Sequence, residues 1–355
     1  MSGDRGTVHR VTAVIQRTVP AVTTTVTNGG VMLSAKKIVL YLCLLAAIAA
    51  LAIGVGVLIN YMAAQNNLSG LDVVAPTAVP PPVTPSPTPQ PTPEPTPGGL
   101  CGGRFDVFTD GEIIKTENSY QTKDTAVFFR EVREKVSDIT GKALVYYVAD
   151  IYVQNIEDLR CGLVKEDIHS TMHMKNLAQS VDAIVAISGD FAAWRRSGIC
   201  VRNGIVYRTS VDERRDVGIL FKDGTFGTFE IGMYTENDVL PLDPWHVWTF
   251  GPELMDENGQ AKDWFNTDVY TRNPRAVFGY YEPGHYCFVM VRGRVAESAG
   301  MNLAELSQLM AQLGCTSAFN LDGGATTQFY FDGKSYPGAG GARQVNDIVY
   351  LPLAS

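Results

Sequence analysis

The sequence predicts an α+β domain: a mixed, hairpin-rich β-sheet with a few packed helices, preceded by a transmembrane helix and a proline-rich stalk. Three observations carry that expectation. Short β-branched and aromatic runs alternate with turn pairs such as Asp223-Gly224, Pro283-Gly284 and Asp332-Gly333, the pattern of hairpins. Few stretches show helical spacing; the clearest spans 302–313, with Leu303, Leu306, Leu309, Met310 and Leu313 on one face and Gly314 placed to stop it. Strands in hairpins with two or three helices give a sheet covered by helices rather than a bundle.

Taken in order, residues 1–37 read as a cytoplasmic, poorly ordered tail, rich in Thr and Val with no amphipathic period. Residues 38–59 form an uncharged apolar run. At about 1.5 Å per residue it reaches roughly 33 Å, enough to cross a hydrocarbon core. A cleaved signal peptide is the competing reading, but its apolar region is normally shorter and nearer the terminus. Arg5, Arg10, Arg17, Lys36 and Lys37 precede the run, and no Lys or Arg follows until Arg104. The positive-inside rule then places the N-terminus in the cytoplasm and the C-terminal part outside the cell. Residues 60–99 are a linker in which proline recurs from 76 to 97. Proline removes donors and fixes φ, so this stretch forms an extended spacer rather than a packed element, reaching about 70 Å.

Residues 100–355 are one domain's length of chain, enough for a sizeable core. A β-branched and aromatic run at 143–153 predicts a strand. A short helix is expected at 172–181, leading into a strand at 183–187. Hairpins are expected at 218–227 and across 276–292, and strands run into Asn320, through 329–331 and through 348–351. From residue 41 onwards, 24 Lys and Arg stand against 36 Asp and Glu. That acidic balance argues against nucleic acid as a partner, so an anionic ligand would need local donors. Cysteines lie at 43, 101, 161, 200, 287 and 315, with no Cys-x-x-Cys pair, and no bridge is assigned.

The candidate site lies at Ala318-Phe-Asn-Leu-Asp-Gly-Gly-Ala-Thr-Thr-Gln-Phe-Tyr-Phe. An apolar run delivers Asn320 and Asp322 to Gly323-Gly324, where missing Cβ atoms let backbone N–H groups approach a ligand. Thr326 and Thr327 add hydroxyls. The plainer alternative is a hairpin turn capped by its own aspartate. Asp190, after Ser188-Gly189, sits in the same local setting. His169 and His173 have helical i, i+4 spacing but no third ligand, so no metal set is assigned and no cofactor is specified. Trp245 and Trp248 are either core residues or a sugar-stacking wall.

The ordered blocks resemble the phosphodiester glycosidase family. Asn320-Leu-Asp-Gly-Gly324 matches its signature, with Ala325 where a third glycine is usual. Ala186-Ile-Ser-Gly-Asp-Phe191 is similar to its Ala-Ile-Asn-Gly-Asp block, with Ser188 replacing asparagine. Val201-Arg-Asn-Gly204, Thr249-Phe-Gly-Pro252, Asn273-Pro-Arg275 and Val291-Arg-Gly-Arg294 with Ser298-Ala-Gly-Met-Asn-Leu303 follow in the family's order. The resemblance covers roughly residues 105–353. It implies hydrolysis of the bond between a sugar's anomeric carbon and a phosphate. Asp322 and Asp190 would be the catalytic carboxyls, since glycosidases generally use a pair. Arg275 would be the leading phosphate ligand, because its planar fork suits phosphate oxygens. Arg294 and Arg343 are second choices. Asn320, Gly323, Gly324, Thr326, Thr327, Ser188 and Gly189 complete the expected substrate-binding set. The expected partner is a phosphodiester-linked glycan of the cell envelope or capsule. The rivals are a non-catalytic surface glycan-binding domain and an envelope-assembly scaffold.

Overall fold

The computed structural model describes residues 99–101 and 104–354. The tail, the span expected at 38–59 and almost all of the proline linker lie outside the described residues. Among the described residues no helix is long and apolar enough to cross a membrane.

The strands form three sheets. The seven-stranded sheet orders its segments as Ile114–Lys115, Ser119–Gln121, Thr125–Glu134, Leu144–Val153, His285–Val291, Arg275–Glu282 and Ser317–Asn320. A five-stranded sheet runs Phe226–Phe229, Asp216–Phe221, Pro244–Phe250, Cys200–Arg202 and Ile205–Arg208. The other runs Lys334–Pro337, Gln328–Phe331, Ala183–Ser188, Asp347–Pro352 and Arg160–Leu163. The α+β class stands, and every strand pairing is antiparallel, so the expected mixed sheet is instead three antiparallel ones. Hairpins such as Asp223-Gly224 and Pro283-Gly284 close such pairs with a few residues, whereas parallel pairs need long crossovers.

Side-chain alternation along the seven-stranded sheet feeds two cores. Ala276 and Phe278 pack on one face with Trp248, Phe226 and Phe319 from neighbouring strands. Val277, Cys287 and Val289 point to the other face, where they meet Leu303, Leu306 and Met310. Aromatic pairs join the sheets: Phe226 lies 5.2 Å from Phe278, and Phe129 stacks on Phe331 at 4.8 Å. The helix Leu303–Gln312 begins with a capping box, in which Asn302 Oδ1 accepts from Glu305 N and Glu305 Oε2 accepts from Asn302 N, both at 2.9 Å. It ends at Gly314, whose φ of 85° is the left-handed turn expected there. The second expected helix is shorter than 172–181, spanning Met174–Ser180. The strand Pro244–Phe250 was not expected, because its Trp and His residues hide the alternation. The strand Ala183–Ser188 is buried at every position, as a central strand between two neighbours should be.

All five described cysteines are buried free thiols. Gly279 stands against Cys287 and Cys315, where a Cβ would fall 2.5 Å and 3.0 Å from their sulfurs, so only glycine packs there without moving them.

Candidate functional site

Three chain segments meet at one end of the sheets. Asp322 follows the strand Ser317–Asn320, Arg275 begins the neighbouring strand, and Gly189 follows Ala183–Ser188. Backbone bonds fasten them: Asp322 N donates to Gly189 O at 3.0 Å, and Gly324 N donates to Pro274 O at 3.0 Å. A Cβ on Gly323 would fall 2.9 Å from Pro274 O, so the close approach needs glycine. The left-handed backbone falls on Gly324, with φ 69°; Ala325 is not among the positive-φ residues. Alanine at that point of the signature is therefore unstrained.

Asp322 is 7% exposed and lines a cleft of about 160 Å³ with Phe250, Val269, Asn273, Arg275, Arg294, Gly323 and Gly324. A larger hollow of about 470 Å³ lies elsewhere, between Lys123–Thr125 and Pro352–Ala354, away from every signature residue. Burial pushes the Asp322 carboxyl up to about 6, although a hydrogen bond from Thr326 and the guanidinia of Arg343 and Arg195 pull it down. Thr326 Oγ1 donates to Asp322 Oδ2 at 2.6 Å, and Arg343 Nη2 reaches the same oxygen at 3.4 Å.

Arg275 is 2% exposed. Its Nε donates to Met301 O at 3.1 Å and its Nη2 to Val269 O at 2.8 Å and to Thr271 O. Its Nε and Nη2 donors are thus spent on the backbone of Met301 and of residues 269–271. Among the described residues it has no carboxylate partner, and burial, helped by Arg294, lowers its pKa to about 10. Arg294 binds Asn273 Oδ1 through both Nε and Nη2. Although the chain is acidic overall, the cleft is locally cationic.

Asp190 occupies a different setting from Asp322. Its Oδ1 accepts from Ala192 N at 2.9 Å and its Oδ2 from Thr249 N at 3.1 Å. Arg202 Nη2 lies 3.0 Å from Oδ1. Both oxygens are engaged, Oδ1 in a buried ion pair and Oδ2 by a backbone N–H, and of the two expected carboxyls only Asp322 lines the cleft. Arg202, fully buried, also donates from Nε to Asp347 Oδ2 at 2.8 Å. Two carboxylates thus share one guanidinium, and burial pushes the Asp347 carboxyl up against the pull of Arg202. Asp347 also explains Gly189: a Cβ there would sit 2.3 Å from Asp347 Oδ1.

Other expected ligands turn inward. Asn320 is fully buried and donates from Nδ2 to Gly251 O at 2.7 Å. Ser188 Oγ accepts from Gln328 N at 3.3 Å. Thr327 is 1% exposed, and its backbone carbonyl accepts from Gly338 N at 2.8 Å. All three are buried and tie neighbouring segments together, Ser188 and Thr327 in or beside interior strands of their sheet and Asn320 at the end of the edge strand Ser317–Asn320. Trp248 is fully buried, and Trp245 is half-buried with its Nε1 donating to Leu159 O at 2.8 Å; neither lines the cleft.

Sequence reasoning passed over Phe191, Trp194 and Arg195. Phe191 stacks on Trp194 at 5.0 Å, and Arg343 lies 5.3 Å and 5.0 Å from the two ring centres. The only signal was an aromatic pair three residues apart beside Asp190.

Fold and cleft together define a β-rich domain that presents one titratable carboxyl to several guanidinia. Residues 182–351 match the family model described as phosphodiester glycosidase, so this part of the chain carries a domain of that type. Similar proteins include an uncharacterised SPbeta prophage-derived protein, YomE, of Bacillus subtilis strain 168, 25% identical over 171 residues. That match covers 45% of this chain and 26% of the relative, so the chain spans about a quarter of its length. The fold is similar to that of a zebrafish N-acetylglucosamine-1-phosphodiester α-N-acetylglucosaminidase catalytic domain auto-inhibited by its pro-peptide. The TM-score is 0.50 at 16% identity, over 65% of this chain and 83% of that one. A hypothetical protein of Synechocystis aligns with TM-score 0.48 and 16% identity, over 64% and 62% of the two chains.

Proposed function

We propose that the domain hydrolyses sugar-1-phosphodiester bonds in cell-envelope or capsular glycans, from the outer side of a membrane that the chain crosses once. The observation that carries the reading is the pairing, in one cleft, of Asp322 with Arg275, a buried guanidinium that has no carboxylate partner among the described residues. A cation in such a place stabilises an anion that enters or develops beside it. Phosphate leaving as a monoester needs that stabilisation more than it needs a proton. The carboxylate is then free for the other task, which is to deliver water to the anomeric carbon or to attack it directly. In this account Arg275 and Arg294 receive the phosphate, the Gly323-Gly324 turn admits it closely, and ionised Asp322 acts on the sugar side. The family-model match over residues 182–351 supports the bond class.

The test is activity of the full-length chain on a panel of sugar-1-phosphodiesters, beside aryl glycosides of the same sugars that lack phosphate. Release of phosphomonoester, with little or no turnover of the aryl glycosides, is expected. Turnover of neither set would overturn the reading. One observation favours a second reading, a glycan-binding domain without turnover: Asp190 is locked by Arg202, leaving one free carboxyl where glycosidases generally use two. Retention of the phosphodiesters with no product would decide for it.

The topology rests on the apolar run at 38–59 and the five basic residues before it. Protease added to intact cells should release a fragment beginning in the proline linker. A fragment that appears only after lysis would reverse the orientation.

A further inference from the structure

We propose that an aromatic–arginine strip from Phe250 to Trp194 is a subsite for the sugar–phosphate unit adjoining the scissile bond, so that the enzyme's substrate is a polymer of such units. The proposal rests on the phosphodiester reading above. Phe250 lines the cleft beside Asp322. Arg195 lies 4.9 Å from the Phe250 ring centre and 5.6 Å from that of Phe191. Arg343 lies over Phe191 and Trp194, and also reaches Asp322. Rings and guanidinia therefore alternate without a break from the cleft wall to the surface.

The chemistry of the strip suits alternating sugar and phosphate. Arg343, packed on Phe191 and Trp194, presents N–H groups to anionic oxygens, whereas Arg195 has one Nη1 N–H donated to Thr249 O. An indole offers a flat apolar face to the C–H side of a pyranose. Trp194 is 44% exposed and the Arg343 side chain 45% exposed, so both are open to a ligand. Trp264 is more exposed, at 72%, but no described aromatic or arginine stacks on it, so it continues no strip. Size points the same way. The cleft, at about 160 Å³, is below the roughly 300 Å³ at which ordinary ligand sites begin. It can seat the reacting linkage, and the rest of a longer chain must lie along its wall.

The experiment compares kcat/KM of the full-length chain on hexosyl-1-phosphate oligomers of one and six repeats, each capped as the methyl phosphodiester so that even the single repeat carries the scissile bond, for the wild type, W194A and W194F. The wild type should prefer the longer oligomer by about tenfold, the size of one good aromatic contact. W194A should bring that ratio close to one, chiefly through KM, and W194F should restore most of it. A wild-type ratio near one, or a ratio untouched by W194A, overturns the subsite. If the wild type turns over neither oligomer, the hydrolytic reading fails separately. Retention of the six-repeat oligomer on immobilised protein then decides the subsite: about tenfold weaker retention by W194A supports it, and equal retention overturns it.

Discussion

Asp322→Asn is expected to cut turnover of sugar-1-phosphodiesters by about 10²-fold or more while leaving the fold intact. The carboxyl lies in the cleft and is approached by Thr326 and Arg343, and asparagine keeps an acceptor oxygen for both. What it loses is the charge and basicity that the proposed mechanism uses on the sugar side. Because burial holds the wild-type group near 6, the reactive carboxylate accumulates as pH rises through about 6. The wild-type kcat/KM should therefore rise across that window and level off above it, and the variant should lack the limb. A wild-type profile that falls above pH 6 would make Asp322 the acid instead. Unchanged turnover in the variant would remove it from the mechanism.

The same shift has a stability consequence of opposite sense. The folded pKa is raised above the usual carboxylate value near 4, so the fold favours the protonated group. That contribution is complete below about pH 4 and is lost as pH rises through 6. Asp322→Asn should match the wild type near pH 4 and exceed it at pH 8, by at most about 3 kcal/mol. A variant that melts lower at both pH values would show that the carboxylate caps the turn, the alternative its sequence context allowed.

Arg202→Met carries the largest expected loss of stability, about 3–5 kcal/mol. Methionine fills a similar volume but leaves Asp190 and Asp347 without their shared cation in the interior. At roughly 2–4 °C per kcal/mol for a domain of this size, the melting temperature should fall by about 6–20 °C. Asp347→Asn should cost less than half as much, because it removes the carboxylate in excess over the single guanidinium. Equal losses in the two variants would refute the sharing of one cation by two carboxylates. Through Gly189, whose N–H donates to Asp347 O and whose carbonyl receives Asp322 N, the buried charge group also seats the candidate catalytic carboxyl. Arg202→Met should therefore lose turnover below its melting point as well.

What the sequence determined alone is local. Alternation and turn pairs marked strands at 276–281 and 285–292, observed as Arg275–Glu282 and His285–Val291, and the hairpin at Asp223-Gly224. Helical spacing marked 302–313, observed as Leu303–Gln312, and a double glycine after an apolar run marked the strand end where Asp322 enters the cleft. These follow from side-chain periods and from which residues tolerate a left-handed backbone, properties of a few neighbouring residues. The family blocks fixed the order of the segments.

Which charges face one another was decided only by the tertiary structure. Asp190 and Asp322 have nearly the same local sequence, an apolar run and a glycine. They part because Arg202 arrives beside Asp190, tied also to Asp347 from 145 residues further along the chain, while Asp322 meets the cleft. Arg275 looked like a free phosphate fork until the 269–271 carbonyls took part of it. Trp248 and Trp194 are equally aromatic in sequence; one faces the sheet interface and is fully buried, the other lies at the surface beside Arg343. Burial and ion pairing depend on groups brought together across long stretches of chain, and no local period encodes those meetings.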